Sequence, residues 1–194
     1  MGTSVSHPSP RTPGWNAVAA SYSTEAIAVQ RVAQELWRAA ASQPEASLTA
    51  DLGHPLVSKL GEIAISVNDR MEAVQAGRRL VAAAGETSLA IDIAHRALSL
   101  SFTKAGDRSQ SFAQALFAQA ANYLVSRDLA GFVGRTGRIH NVSEAIALKA
   151  ALADLAAATV RTVPLSSSVF RDASSWRAYV HAVVARLVGS APNA

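Results

Sequence analysis

Apolar residues recur at intervals of three and four along six segments of this chain, and no stretch of any length alternates with period two. The first pattern lines one face of an α-helix, whereas a half-buried strand needs the second. The chain is therefore expected to be all-α, a single-domain bundle of about six helices. Its 194 residues, 49% of them hydrophobic, are enough for one domain with a substantial core. Alanine supplies much of that apolar content, which favours helix and lets helices approach closely.

The helices are expected from Thr24 to Ser42, Pro55 to Ala84, Thr87 to Lys104, Arg108 to Phe132, Asn141 or Ser143 to Pro164, and Ala173 to Val188. Local chemistry marks several ends. Pro55 suits a first helical turn, and Gly85 suits a C-terminal stop. Asn141 stands three residues before Glu144, the spacing of a capping box. Buried stripes are expected at Leu56, Leu60, Ile63, Val67, Met71 and Val74 on the second helix, and at Phe112, Leu116, Ala120, Tyr123 and Leu124 on the fourth. The fifth carries a heptad-like seam of Ala145, Leu148, Leu152, Leu155, Thr159 and Thr162, suited to packing internally or against a second copy. Ser166 to Ser168 reads as a linker.

Residues 1–22 are rich in Ser, Pro, Gly and Thr, and no acidic residue precedes Glu25. They are expected to form a disordered tail, leaving 23–190 as the helical domain. The tail also fits two signals: an N-myristoylation pattern at Gly2 and Ser6, and, by composition alone, the export leader of bacterial type III effectors. No apolar run reaches the length of a membrane span. The expected compartment is cytoplasmic, with export by a leaderless route as the alternative.

The chemistry available to the chain is narrow. It has no cysteine, which excludes disulfides and thiolate sites. His7, His54, His95, His140 and His181 are dispersed, without a His-x-x-x-His or HExxH pattern. No serine sits in a G-x-S-x-G elbow, and GRTGR lacks the order of a phosphate-binding P-loop. Neither a cofactor nor a metal is expected, no residue is assigned a catalytic role, and binding is favoured over catalysis. His95 lies on a largely apolar helix and is read as a hydrogen-bonded core residue.

Charge is scarce and unevenly placed. Only 16% of residues are charged, which suggests apolar surface left for a partner or for self-association. From Arg135 onward seven basic residues face three acidic ones, 7 − 3 = +4, which is the net charge of the whole chain. This basic part begins in Ser126–Ser143, where Gly131, Gly134 and Gly137 stand three apart. Glycines let backbone N–H groups approach an anion, and the following helix would add its positive N-terminal end. Arg127, Arg135, Arg138 and His140, with Gly134 and Gly137, are accordingly the candidate anion-binding residues. The alternative is a helix stop and a turn with solvated arginines.

A further pattern, Leu80 to Leu98, partly matches a helix-turn-helix, with Gly85 at the turn and Thr87, Ser88, Asp92 and Arg96 toward DNA. Taken together, the residues favour a non-catalytic helical interaction protein. It would self-associate or bind a helical partner, and contact nucleic acid or a phosphate-bearing ligand through the basic loop. A secreted effector and a DNA-binding regulator are the alternatives.

Overall fold

A computed structural model describes residues 29–41, 48–103, 106–129, 139 and 141–189, with the backbone alone described at 127–129. Among these residues the fold is all-α. Its helices are Val29–Ala41 (α1), Leu48–Leu52 (α2), Pro55–Ser66 (α3), Arg70–Ala84 (α4), Leu89–Leu100 (α5), Arg108–Leu129 (α6), Val142–Arg161 (α7) and Ala173–Val188 (α8). A 3-10 turn, Ser167–Arg171, precedes α8. The expected tail, residues 1–22, lies outside the described residues.

Three elements depart from the sequence expectation. The helix expected from Pro55 to Ala84 is two helices. Val67 is extended (φ −101°, ψ 131°), and the Asp69 carboxylate caps α4 by accepting from the Glu72 N–H at 2.8 Å. The Val67 carbonyl, freed from any ladder, accepts from the Arg108 guanidinium at the start of α6. The break turns α4 relative to α3, so Met71, expected in the buried stripe, is 65% exposed. The second departure is α2, a single turn that buries Leu48 and Leu52. The third is the expected serine linker, which instead forms the 3-10 turn and buries Phe170.

That turn is tied down by aromatic packing. Phe170 meets Phe112 edge-on, with ring centroids 5.8 Å apart, and stacks on Trp176 at 5.0 Å; Trp176 in turn stacks on Tyr179 at 5.6 Å. Such pairs add about 0.5–1.5 kcal/mol each beyond their buried area. Ser58 donates its hydroxyl to the Phe170 carbonyl at 2.6 Å, and Trp176 Nε1 donates to the Leu52 carbonyl at 2.8 Å. Both bonds are buried, so α2, α3, the turn and α8 are held as one unit.

The other ends follow the local rules. Gly85 ends α4 at φ 64°, in the left-handed region that favours glycine. Asn141 caps α7 by accepting from the Glu144 N–H at 2.9 Å and donates its amide to the Glu144 carboxylate at 3.0 Å. The α7 seam packs internally, with Ala145, Leu148 and Leu152 buried, Leu155 and Thr159 half-buried, and Thr162 exposed at the end. α6 lies between α5 and α7, also touches α1 and α3, and forms its most extensive contact with α7. Trp37 of α1 meets Phe117 of α6 at 5.8 Å.

Two outcomes follow from this packing. A Cβ at Gly61 would penetrate the Phe170 ring and press on Phe112. Alanine within a helix is favoured over glycine by about 1 kcal/mol, but overpacking costs about 1–3 kcal/mol. Gly61→Ala is therefore expected to be destabilising, read as a lower urea midpoint. Gly77→Ala meets the terminal methyls of Leu98 and Leu60, not a ring face, and is expected to cost less.

Asp172 caps α8 and collects the hydroxyls of Ser174 and Ser175, each at 2.6 Å, and the Ser175 N–H at 2.8 Å. These donors hold its carboxyl well below the ordinary value of 3.8. A depressed folded-state value means the charge stabilises fully above the unfolded value and is lost as pH falls below it. Asp172→Asn should therefore be less stable than the parent at neutral pH, with the gap closing as pH drops below 3.8. Urea midpoints across that range check this; a gap independent of pH would contradict it.

Candidate functional site

α6 carries two stripes. Phe112, Ala113, Leu116, Phe117, Ala120, Ala121, Leu124 and Val125 recur at helical spacing and are buried. On the opposite side Ser111, Gln114, Ala115, Ala118, Gln119, Asn122, Tyr123 and Ser126 line an open groove. Two hollows, of about 490 and 190 Å³, meet at Gln119. Tyr123, expected in the buried stripe, belongs to this open face and is 38% exposed.

The walls come from the flanking helices. Ala90, Ile91, Ile93, Ala94, Ala97 and Leu98 of α5 face the core. That leaves Asp92, Arg96 and Leu100, spaced four apart, as its exposed strip beside the groove. On α7 the strip flanking the internal seam contains Val142, Ile146, Lys149 and Ala153. Lys149, Ala153, Asp154 and Ala157 line the groove. Val142 and Ile146, two turns and one turn before Lys149, are 68% and 62% exposed.

The groove holds polar groups with unused bonding capacity. Arg96 and Lys149 both line the larger hollow, and neither makes an ion pair among the described residues. The Arg38–Glu35 ion pair at 2.6 Å and the contact of His54 Nε2 with the Glu86 carboxylate at 3.3 Å both lie elsewhere. The side-chain amides of Gln114, Gln119 and Asn122 are half-buried and have no hydrogen-bond partner among the described residues. Each amide offers two donors and a carbonyl acceptor, so the floor can pair with either kind of group on a ligand. Asp92 lies beside the cations and Asp154 toward the smaller hollow.

The histidines lie elsewhere. His95 is half-buried in the contact between α4 and α5, its ring close to Gly77. Its Nε2 is buried and has no hydrogen-bond partner among the described residues, so the hydrogen bond expected for it is not seen there. His181 is exposed on α8. Neither pairs with a carboxylate among the described residues. His54 caps α3, its Nδ1 accepting from the Leu56 N–H at 3.3 Å. No group of three metal-ligating side chains is present among the described residues.

The sequence-based candidates Gly134, Arg135, Gly137, Arg138 and His140 lie outside the described residues, as does the side chain of Arg127. Ile139, between them, is buried in the core. The sequence offered one overlooked signal for the groove. Between Arg108 and Arg127 α6 has no charged residue at all. A helix face meant only for water usually carries charge, whereas this face carries amides, alanines, hydroxyls and one tyrosine.

Compared with known proteins, the chain matches no family model, no curated protein and no solved structure.

Proposed function

We propose that this is a non-catalytic helical interaction protein that contacts an anionic partner, with the α6 groove as the contact surface. One observation carries the reading: Arg96 and Lys149, from two different helices, line the same polar hollow without an ion pair among the described residues. An anion entering between them gains charge-assisted hydrogen bonds, the stronger class of such bonds. In the sequence, α6 leads directly into the glycine-rich stretch. Arg127, Arg135, Arg138 and His140 are proposed to extend the contact surface with further positive charge, with Gly134 and Gly137 giving the backbone its approach.

Self-association belongs to the same proposal. Val142 and Ile146 are adjacent large apolar side chains on one exposed face of α7, and such a patch suits a second copy or a helical partner. The DNA-binding alternative has less in its favour. α5 packs against α2, α3, α4 and α6, Ser88 is occupied as its N-cap, and the strip with Asp92 and Arg96 faces the groove. A recognition helix needs a broader free face to enter a major groove. No helix among the described residues is long and apolar enough to cross a membrane.

The proposal is tested by titrating fluorescent polyanions, a polyglutamate and a single-stranded oligonucleotide, at increasing salt. Arg96→Ala/Lys149→Ala is expected to weaken binding about tenfold or more, the loss of one or two charge-assisted bonds. Neither residue makes an ion pair or a side-chain hydrogen bond among the described residues, so their removal should change stability by no more than about 0.5 kcal/mol. Arg135→Ala/Arg138→Ala tests the loop separately. Unchanged affinity in the first variant would remove the groove from the account, and in the second the loop.

A further inference from the structure

Three properties of the groove bear on what kind of partner fills it. The first is length. Its floor runs along α6 from Ser111 to Ser126, a rise of about 22 Å at 1.5 Å per residue. An extended polypeptide advances about 3.3 Å per residue, so about six or seven residues would fill the floor.

The second is the floor's chemistry. Along the groove Gln114, Gln119 and Asn122 present half-buried amides that have no hydrogen-bond partner among the described residues. An extended peptide carries free backbone N–H and C=O groups, and donor–acceptor side chains match both. A helical partner satisfies its own backbone internally, so it would leave these amides unused.

The third is charge. The cations Arg96 and Lys149 share the groove with Asp92 and Asp154, so the lining as a whole is neutral. A nucleic-acid track needs a surplus of cations along the backbone. A single carboxylate set between Arg96 and Lys149 needs only those two. The floor continues on both sides of that pair, toward Ser126 and toward Ser111, so a bound chain passes through the groove and does not end at the cations.

We propose that the α6 groove binds an extended peptide segment carrying an acidic side chain, whose carboxylate sits between Arg96 and Lys149 while Gln114, Gln119 and Asn122 hydrogen-bond its backbone. This rests on the reading of the groove as an anion-contacting surface and specifies the partner as a polypeptide. Leu100 and the alanines of α6 and α7 give the segment small apolar contacts beyond the acidic position.

The test uses the full chain and three pools of fluorescent seven-residue peptides, each with one central residue fixed as Glu, Gln or Lys and the other positions mixed; seven is about the length the floor accommodates. A twelve-nucleotide oligothymidine is the fourth probe; even at the rise of about 3.4 Å per nucleotide of a stacked strand, its length of about 40 Å exceeds the groove. The Glu pool is expected to bind about tenfold more tightly than the Gln pool. Arg96→Ala and Lys149→Ala should erase that difference. Gln119→Ala/Asn122→Ala should weaken all peptide pools alike and leave the Glu-to-Gln ratio unchanged. Lys149→Glu should turn the preference toward the Lys pool, a gain that no loss of folding can imitate. Backbone N-methylation of the Glu pool should abolish binding. If oligothymidine binds and the peptides do not, the peptide assignment fails while the anionic surface stands. If no probe binds, both fail, and equal binding of the N-methylated pool overturns the backbone pairing.

Discussion

The structure depends on one helix having two unlike faces. α6 buries Phe112, Leu116, Phe117 and Leu124 completely or nearly so, and its alanines allow neighbours to come close. Full burial of side chains of this size is worth about 1.5–3 kcal/mol each, before the entropy of ordering them is counted. Contacts with α1, α3, α5 and α7 all draw on that stripe or its edges. The same 3.6-residue period that gathers the apolar residues on one side gathers the amides and hydroxyls on the other. α5 and α7, held against the edges of α6, then stand as walls. The groove is thus a by-product of core packing, and its shape is as fixed as the core beneath it.

That origin bears on the binding proposed for the groove. Its walls and floor are helices, so the amides and cations are placed by packing and not by loop conformation. Little ordering entropy is then left to be lost on association. What remains unused among the described residues is hydrogen-bonding capacity, at three amides and two cations, and this is the resource a partner would engage. The aromatic unit of Phe112, Phe170, Trp176 and Tyr179 lies on the other side of α6 and fixes α8 and the 3-10 turn there. The buried Tyr179 hydroxyl has no hydrogen-bond partner among the described residues, and burial raises its pKa, which keeps it neutral.

Much of the fold was legible from local chemistry. α8 has the bounds its periodicity implied, and its six apolar positions, Trp176 to Leu187, are all buried. Gly85 and the Asn141–Glu144 pair end and start their helices as their chemistry requires. The break at Val67–Asp69 was not legible, because the apolar spacing runs unbroken across it. What decides the break is Asp69 capping α4 and Arg108, distant in sequence, taking the Val67 carbonyl. Phe170 gave no periodic signal because a single turn has none, and its burial comes from Phe112 and Trp176. The groove was hidden for a related reason. Periodicity says which residues turn inward, but not which polar residues of three helices will share one hollow. Arg96 was visible only as a possible DNA contact and Lys149 only as one charge among seven, while Gln119 and Asn122 drew no notice.

The central claim is that α6's unburied face is a binding surface and not merely a solvated one. Side-chain amide resonances report on this directly. In a titration of isotopically labelled protein with an acidic peptide pool, the amide signals of Gln114, Gln119 and Asn122 should shift together and saturably. Those of Gln75 and Gln34, on α4 and α1, should stay in place. Shifts confined to the exposed Arg177 and His181 face of α8, or a saturating interaction that leaves all three groove amides unmoved, would contradict the account.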